Sequence, residues 1–81
     1  MRILILYTTL GCHLCEEAKT LLKPLLAKGD WQLQQVDIAD SNDLMAKYGI
    51  RIPVLAIPAS SHELNWPFTA EDITHSLRYN A

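Results

Sequence analysis

The sequence predicts an α/β fold with its elements in the order β-α-β-α-β-β-α. Three observations carry that expectation. A continuous apolar run with a polar start occupies residues 2–7, a helical repeat of apolar residues occupies 14–26, and an alternating segment follows at 31–38. The switch from continuous to 3.6-residue to two-residue periodicity marks strand, helix and strand in turn.

Each element has a local reason. Arg2 precedes Ile3-Leu4-Ile5-Leu6-Tyr7, whose length and continuity suit a strand buried on both faces. Residues 8–11 read as a loop. Apolar residues then recur at Leu14, Ala18, Leu21, Leu22, Leu25 and Leu26, one face of a helix. Glu16 and Glu17 fall early in it and Lys19, Lys23 and Lys28 later, as the helix dipole favours. Gly29 is placed to stop the helix. Pro24 lies inside and removes one backbone donor, so a kink is expected at residues 20–23 rather than two short helices. In the second strand Trp31 and Leu33 alternate with polar residues, and a slip at Gln34-Gln35 shifts the pattern to Val36 and Ile38. Asp40 or Ser41 caps a short helix through Leu44, Met45, Ala46 and Tyr48, closed by Gly49. Pro53 begins a third strand, Val54-Leu55-Ala56-Ile57, and a turn at 58–61 returns the chain as a fourth strand at 62–66. Thr69 with Asp72 forms a short capping box for a last helix, whose apolar stripe is Ile73 and Leu77. Trp66 and Phe68 are expected to fill the core beneath that helix rather than mark a partner surface.

Composition narrows the function classes. The chain has 81 residues, 49% of them hydrophobic and 20% charged, with a net charge of −2. Those values suit one small globular domain over residues 1–81. The charge gives no basis for nucleic-acid or anionic-membrane binding. No segment reaches the roughly 18 apolar residues of a membrane span. Leu10-Gly11-Cys12 superficially matches a lipoprotein cleavage site, but the preceding apolar run breaks at Tyr7-Thr8-Thr9 and is too short for a signal peptide. The expected setting is a cytoplasmic monomer.

Both cysteines stand in Cys12-His13-Leu14-Cys15, between the first strand and the first helix. Two thiols one helical turn apart can close a small disulfide. A helix start supplies unpaired N–H groups and a positive dipole end, which stabilise a thiolate. Cys12 is therefore expected to be the nucleophile, accepting a hydrogen bond from the backbone of Leu14 or Cys15. Cys15, one turn further in, is the resolving thiol. Two alternatives stay open at this point. One is a metal or iron–sulfur site, for which a single chain supplies few ligands. The other is an interaction module that does no chemistry.

Tyr7-Thr8-Thr9-Leu10-Gly11-Cys12-His13-Leu14-Cys15 resembles the strand end, loop and CxxC of glutaredoxins. Tyr48-Gly49-Ile50-Arg51-Ile52-Pro53-Val54 resembles the segment leading to the cis-proline of thioredoxin-fold proteins. The chain is similar to the glutaredoxin-like branch of that superfamily over essentially its whole length. The resemblance implies a thioredoxin-like four-stranded mixed sheet flanked by three helices, with a cis Ile52–Pro53 bond facing the CxxC. It also implies thiol–disulfide oxidoreductase activity on protein or small-molecule disulfides, sustained by a thiol electron donor and needing no cofactor beyond the Cys12–Cys15 pair.

The resemblance further implies that Ile52 offers its backbone N–H and C=O to an extended substrate segment. The expected substrate contacts are Leu10, His13, Arg51, Ile52 and Pro53. His13 either adds positive charge beside Cys12 or is an exposed loop histidine. Arg51 either meets an acidic substrate group or is a solvated charge, the second being favoured. His13-Leu14 differs from the Pro-Tyr of many glutaredoxins, and two further departures bear on glutathione. Thr9 stands where a lysine usually helps to hold the glutathione carboxylate. Asn65-Trp66-Pro67-Phe68 replaces the glycine-rich turn and acidic pair that bind the tripeptide's other end. Both departures argue against glutathione as the physiological partner.

Overall fold

The computed structural model describes residues 2–80, with side chains through residue 77. Its elements are β1 (Arg2–Thr8), α1 (His13–Ala27), β2 (Trp31–Asp37), α2 (Asn42–Tyr48), β3 (Val54–Ile57), β4 (His62–Asn65) and α3 (Ala70–Asn80). Short 3-10 turns lie at Ile38–Asp40 and Pro58–Ser60. The four strands form one mixed sheet in the order β2-β1-β3-β4. β1 runs parallel to β2 and antiparallel to β3, and β4 closes a hairpin on β3. This is the expected thioredoxin-like arrangement and element order. No helix of the described residues is long and apolar enough to cross a membrane.

Two apolar clusters lie on opposite faces of the sheet. Leu4, Leu6, Leu55 and Ile57 pack with Ala18 and Leu22 of α1 and with Ile73 and Leu77 of α3. Tyr7 and Val54 pack on the other face with Ile38, Leu44 and Tyr48. The short α2 covers only one end of its face. Ile5 is consequently half-buried and Ile3 is 36% exposed, so β1 is fully buried on one face rather than on both.

The break in the β2 alternation has the same origin. β1 and β2 pair residue for residue from Arg2↔Trp31 to Thr8↔Asp37, with no bulge at Gln34-Gln35. Paired residues of adjacent strands share a face. Leu33 therefore joins the cluster under α1 with Leu4, while Val36 lies on the face of Tyr7, where Ile38 enters the second cluster. The sequence shifts its apolar parity because the strand hands over from one core to the other.

The helix ends follow their side chains. A single α1 runs through Pro24. Gly29 takes φ 84°, and its N–H donates to the Leu26 carbonyl at 3.1 Å, which ends the helix through a left-handed residue. Ser41 caps α2, with its Oγ accepting the Leu44 N–H at 3.3 Å. Thr69 Oγ1 accepts the Asp72 N–H and Asp72 Oδ2 accepts the Thr69 N–H, both at 3.0 Å. The capping box thus closes with the shorter carboxylate. Phe68 is 4% exposed and meets Trp66 edge-on with ring centroids 5.1 Å apart, so both belong to the core beneath α3.

The topology also sets the functional end. β1 and β2 are parallel and finish at Thr8 and Asp37, while antiparallel β3 begins at Val54, opposite Tyr7. The loops 9–12 and 49–53 therefore leave the same end of the sheet. Ile52–Pro53 is cis, as is Trp66–Pro67.

Candidate active site

The loop before the cysteine pair is a tight turn. Cys12 N–H donates to the Thr9 carbonyl at 3.4 Å, and Gly11 takes φ 77° at the third position of the turn. That backbone favours glycine even though nothing lies within 4 Å of an added Cβ. The turn delivers Cys12 as the N-cap of α1, in extended conformation, with its Sγ accepting the Cys15 N–H at 3.2 Å. Of the two donors considered from sequence, Cys15 is the one used. The two cysteines form a disulfide with Cα atoms 5.2 Å apart. They are unequal in access: Cys12 is half-buried, and Cys15 is 0% exposed.

The neighbouring side chains are mostly exposed. Leu10, at the tip of the turn, is 92% exposed. His13 places Nε2 3.9 Å from Glu17 Oε2, so a protonated ring pairs along its own helix. Glu16 forms a 2.7 Å ion pair with Lys19, which holds its carboxyl below the ordinary carboxylate range. It is therefore ionised at neutral pH. Among the described residues, no three His, Cys, Asp or Glu come together in a group that could hold a metal ion.

The cis-proline loop is fastened from behind. Pro53 is fully buried and Ile52 half-buried. Ile52 N–H donates to the Tyr48 carbonyl at 3.2 Å, and Arg51 N–H donates to the same oxygen at 2.8 Å. The expectation that Ile52 presents both its N–H and its C=O narrows accordingly, because the last turn of α2 already takes the N–H.

Arg51 is not a solvated charge. Its guanidinium donates to Asn65 Oδ1 at 2.8 Å and to the Lys47 carbonyl at 3.4 Å, lies 3.5 Å from Glu63 Oε1, and covers the Tyr48 ring. Glu63 in turn accepts the Tyr48 hydroxyl, and Tyr48 stacks on Tyr7 with centroids 4.2 Å apart. Sequence reasoning missed this cluster. Its members lie on β1, α2, the loop and β4, and no short spacing links Tyr7, Glu63 or Asn65 to Tyr48 and Arg51. It joins the segment before the cis-proline to the β4 edge.

The cluster has a measurable consequence. Burial first, and the hydrogen bond to Glu63 second, push the Tyr48 hydroxyl well above its ordinary value of 10.0. Above that value the unfolded chain releases this proton and the folded chain keeps it. Unfolding free energy therefore falls as pH rises past about 10. Tyr48→Phe is expected to flatten that alkaline decline and to cost about 1 kcal/mol at neutral pH. Glu63→Ala is expected to cost more, about 1–3 kcal/mol, because it leaves the buried hydroxyl without this acceptor. Urea titrations at neutral pH and near pH 11 measure both effects.

The Glutaredoxin-like domain model (DUF836) matches residues 3–78. The chain belongs to the glutaredoxin-like domain family. Two solved structures of one protein agree with that placement. The X-ray structure of Northeast Structural Genomics target protein XcR50 from X. campestris is 35% identical, with TM-score 0.83, covering 96% of this chain and 99% of that one. The solution structure of the same target is 36% identical, with TM-score 0.82, covering 100% and 97%. A malarial protein at 14% identity and TM-score 0.74, covering 96% and 94%, shares the fold. No curated protein sequence matches the chain. A glutaredoxin-like fold and a close cysteine pair at a helix start give this domain a redox-capable centre.

Proposed function

We propose that this glutaredoxin-like domain is a thiol–disulfide oxidoreductase that reduces disulfides through Cys12 and Cys15. The observation that carries the reading is the inequality of the pair. Cys12 sits at the α1 N-cap with its sulfur on a backbone N–H, whereas Cys15 is fully enclosed. An external thiol donor first reduces the Cys12–Cys15 bond, delivering two electrons and two protons. The Cys12 thiolate then attacks one sulfur of a substrate disulfide, forming a mixed disulfide and expelling the first substrate thiolate. Deprotonated Cys15 next attacks the Cys12 sulfur. The internal disulfide re-forms and the second substrate thiolate leaves, so the substrate gains the two electrons that the pair loses.

The N-cap position supports thiolate formation at Cys12, since a negative sulfur strengthens the hydrogen bond from Cys15 and meets the positive end of the α1 dipole. The cis-proline loop, fixed by Arg51, Glu63 and Asn65, offers the edge on which an extended substrate segment lies.

Alkylation of the reduced protein across pH tests the reading. One thiol, identified as Cys12 by mass spectrometry, is expected to react rapidly with an apparent pKa below the free value of about 8.5. An unshifted Cys12, together with no turnover of a small neutral disulfide, overturns it. Equilibration against glutathione and thioredoxin couples then identifies the electron donor.

A further inference from the structure

The charges around Cys12 are uneven. One open groove of about 290 Å³ is lined by Gly11, Cys12, His13 and Glu16. A second, of about 220 Å³, shares Gly11 and Glu16 and extends past Leu10 and Lys19 to Asp37. Lys19 is tied to Glu16 at 2.7 Å. Asp37 caps the following 3-10 turn by accepting the neutral Ala39 N–H at 2.9 Å, which leaves its charge uncompensated by that contact. Glu17 lies one position beyond Glu16 with its side chain 52% exposed. Glu16 borders the Cys12 groove and Asp37 the groove beside it, against Lys19 and the His13 ring, while Glu17 lies further along α1 within reach of His13.

The apolar residues supply a second observation. Leu10 on the reactive turn is 92% exposed, and Ile50 on the loop leading to the cis-proline is 101% exposed. Both loops leave the same end of the sheet, so two solvated apolar side chains stand at the end that carries Cys12. Such residues gain by covering a polypeptide and gain little from a small, strongly hydrated disulfide.

We infer that the substrate of this site is a protein disulfide in a basic segment, with Glu16 and Asp37 selecting for positive charge beside the cystine and Leu10 contacting the chain around it. The inference rests on the oxidoreductase reading. By the same charges, disulfides flanked by carboxylates, glutathione disulfide among them, are disfavoured.

The test compares two peptide disulfides of equal length, one with lysine and one with glutamate beside each cysteine, together with the neutral bis(2-hydroxyethyl) disulfide. Each rate of oxidation of the reduced protein is divided by the rate of the same disulfide with 2-mercaptoethanol, which removes differences in leaving group. The lysine peptide is expected to lead the glutamate peptide by at least about threefold at low salt. The ratio should fall toward one near 1 M salt. Glu16→Gln and Asp37→Asn keep their hydrogen bonds and should each lower the ratio, a readout in which any change in Cys12 reactivity cancels. Leu10→Ser should slow both peptides relative to the small disulfide. A ratio of one or less, a ratio indifferent to salt, or a ratio unmoved by both charge variants overturns the inference while turnover of the neutral disulfide preserves the parent reading. An unmoved peptide preference in Leu10→Ser overturns the polypeptide part. No reaction with any of the three overturns both readings.

Discussion

Replacing Cys12 by serine is expected to reduce disulfide turnover to background, and replacing Cys15 is expected to stop the cycle halfway. The two variants differ because the two sulfurs stand in different places. Cys12 has the partial exposure and the helix-start hydrogen bond that an attacking thiolate needs, while Cys15 has no exposed surface. A serine hydroxyl at position 12 is not ionised at neutral pH and does not attack sulfur. Cys15 alone cannot meet an external disulfide without opening the start of α1. Cys15→Ser keeps the nucleophile and loses the resolving thiol, so one substrate half should remain bound as a mixed disulfide. Intact-mass measurement after exposure to a neutral disulfide separates the cases. Cys15→Ser should gain one adduct on Cys12, and Cys12→Ser should gain none. Adducts at equal rates in both variants would mean that the pair is not ordered as its burial implies. Full turnover in Cys12→Ser would remove Cys12 as the nucleophile.

Much of this arrangement is legible in the sequence because it is built from local signals. The repeat from Leu14 to Leu26, the stop at Gly29, the cap at Ser41 and the Thr69–Asp72 box each lie within a few residues, and each appears where its spacing places it. The resemblance of residues 48–54 to a cis-proline segment carries the Ile52–Pro53 geometry, which propensity alone does not give. What escaped is long-range. The shift in β2 parity reads locally as a slip, and its cause is a second core built from Tyr7, Tyr48 and Val54, far apart in sequence. Arg51 reads as a solvated charge because its partners Asn65 and Glu63 come from a strand more than ten residues later. Ile52 is the local exception: it reads as a free edge because Gly49 is taken as the helix stop, yet its N–H still closes an i→i−4 bond to Tyr48. For Val36 and Arg51 the neighbours in space come from distant elements, which the folding of the sheet brings together.

The largest loss of stability is expected from Leu55→Ala. β3 is an inner strand whose four residues are all buried, and Leu55 is 0% exposed. Across the sheet it pairs with Leu6 on β1 and Leu64 on β4, a row of leucines beneath α1 and α3. Removing three carbons there forfeits their transfer free energy and leaves a cavity that the sheet closes poorly, because hydrogen bonds on both edges fix the position of β3. Leu→Ala at such sites costs about 2–5 kcal/mol. A domain of this size has a total stability on the order of 4–12 kcal/mol, so the variant should lose a large part of it. Urea unfolding of the oxidised protein should show a lower midpoint at unchanged slope. Leu10→Ala removes the same three carbons from a side chain that is 92% exposed, and should move the midpoint little. The pair separates the two uses this chain makes of leucine: Leu55 holds the sheet to its helices, and Leu10 is kept at the rim of the reactive turn, where it contributes nothing to the core. A Leu55→Ala midpoint within error of the parent would place the core elsewhere than the leucine row. A large loss in Leu10→Ala would mean that the reactive turn is packed rather than presented.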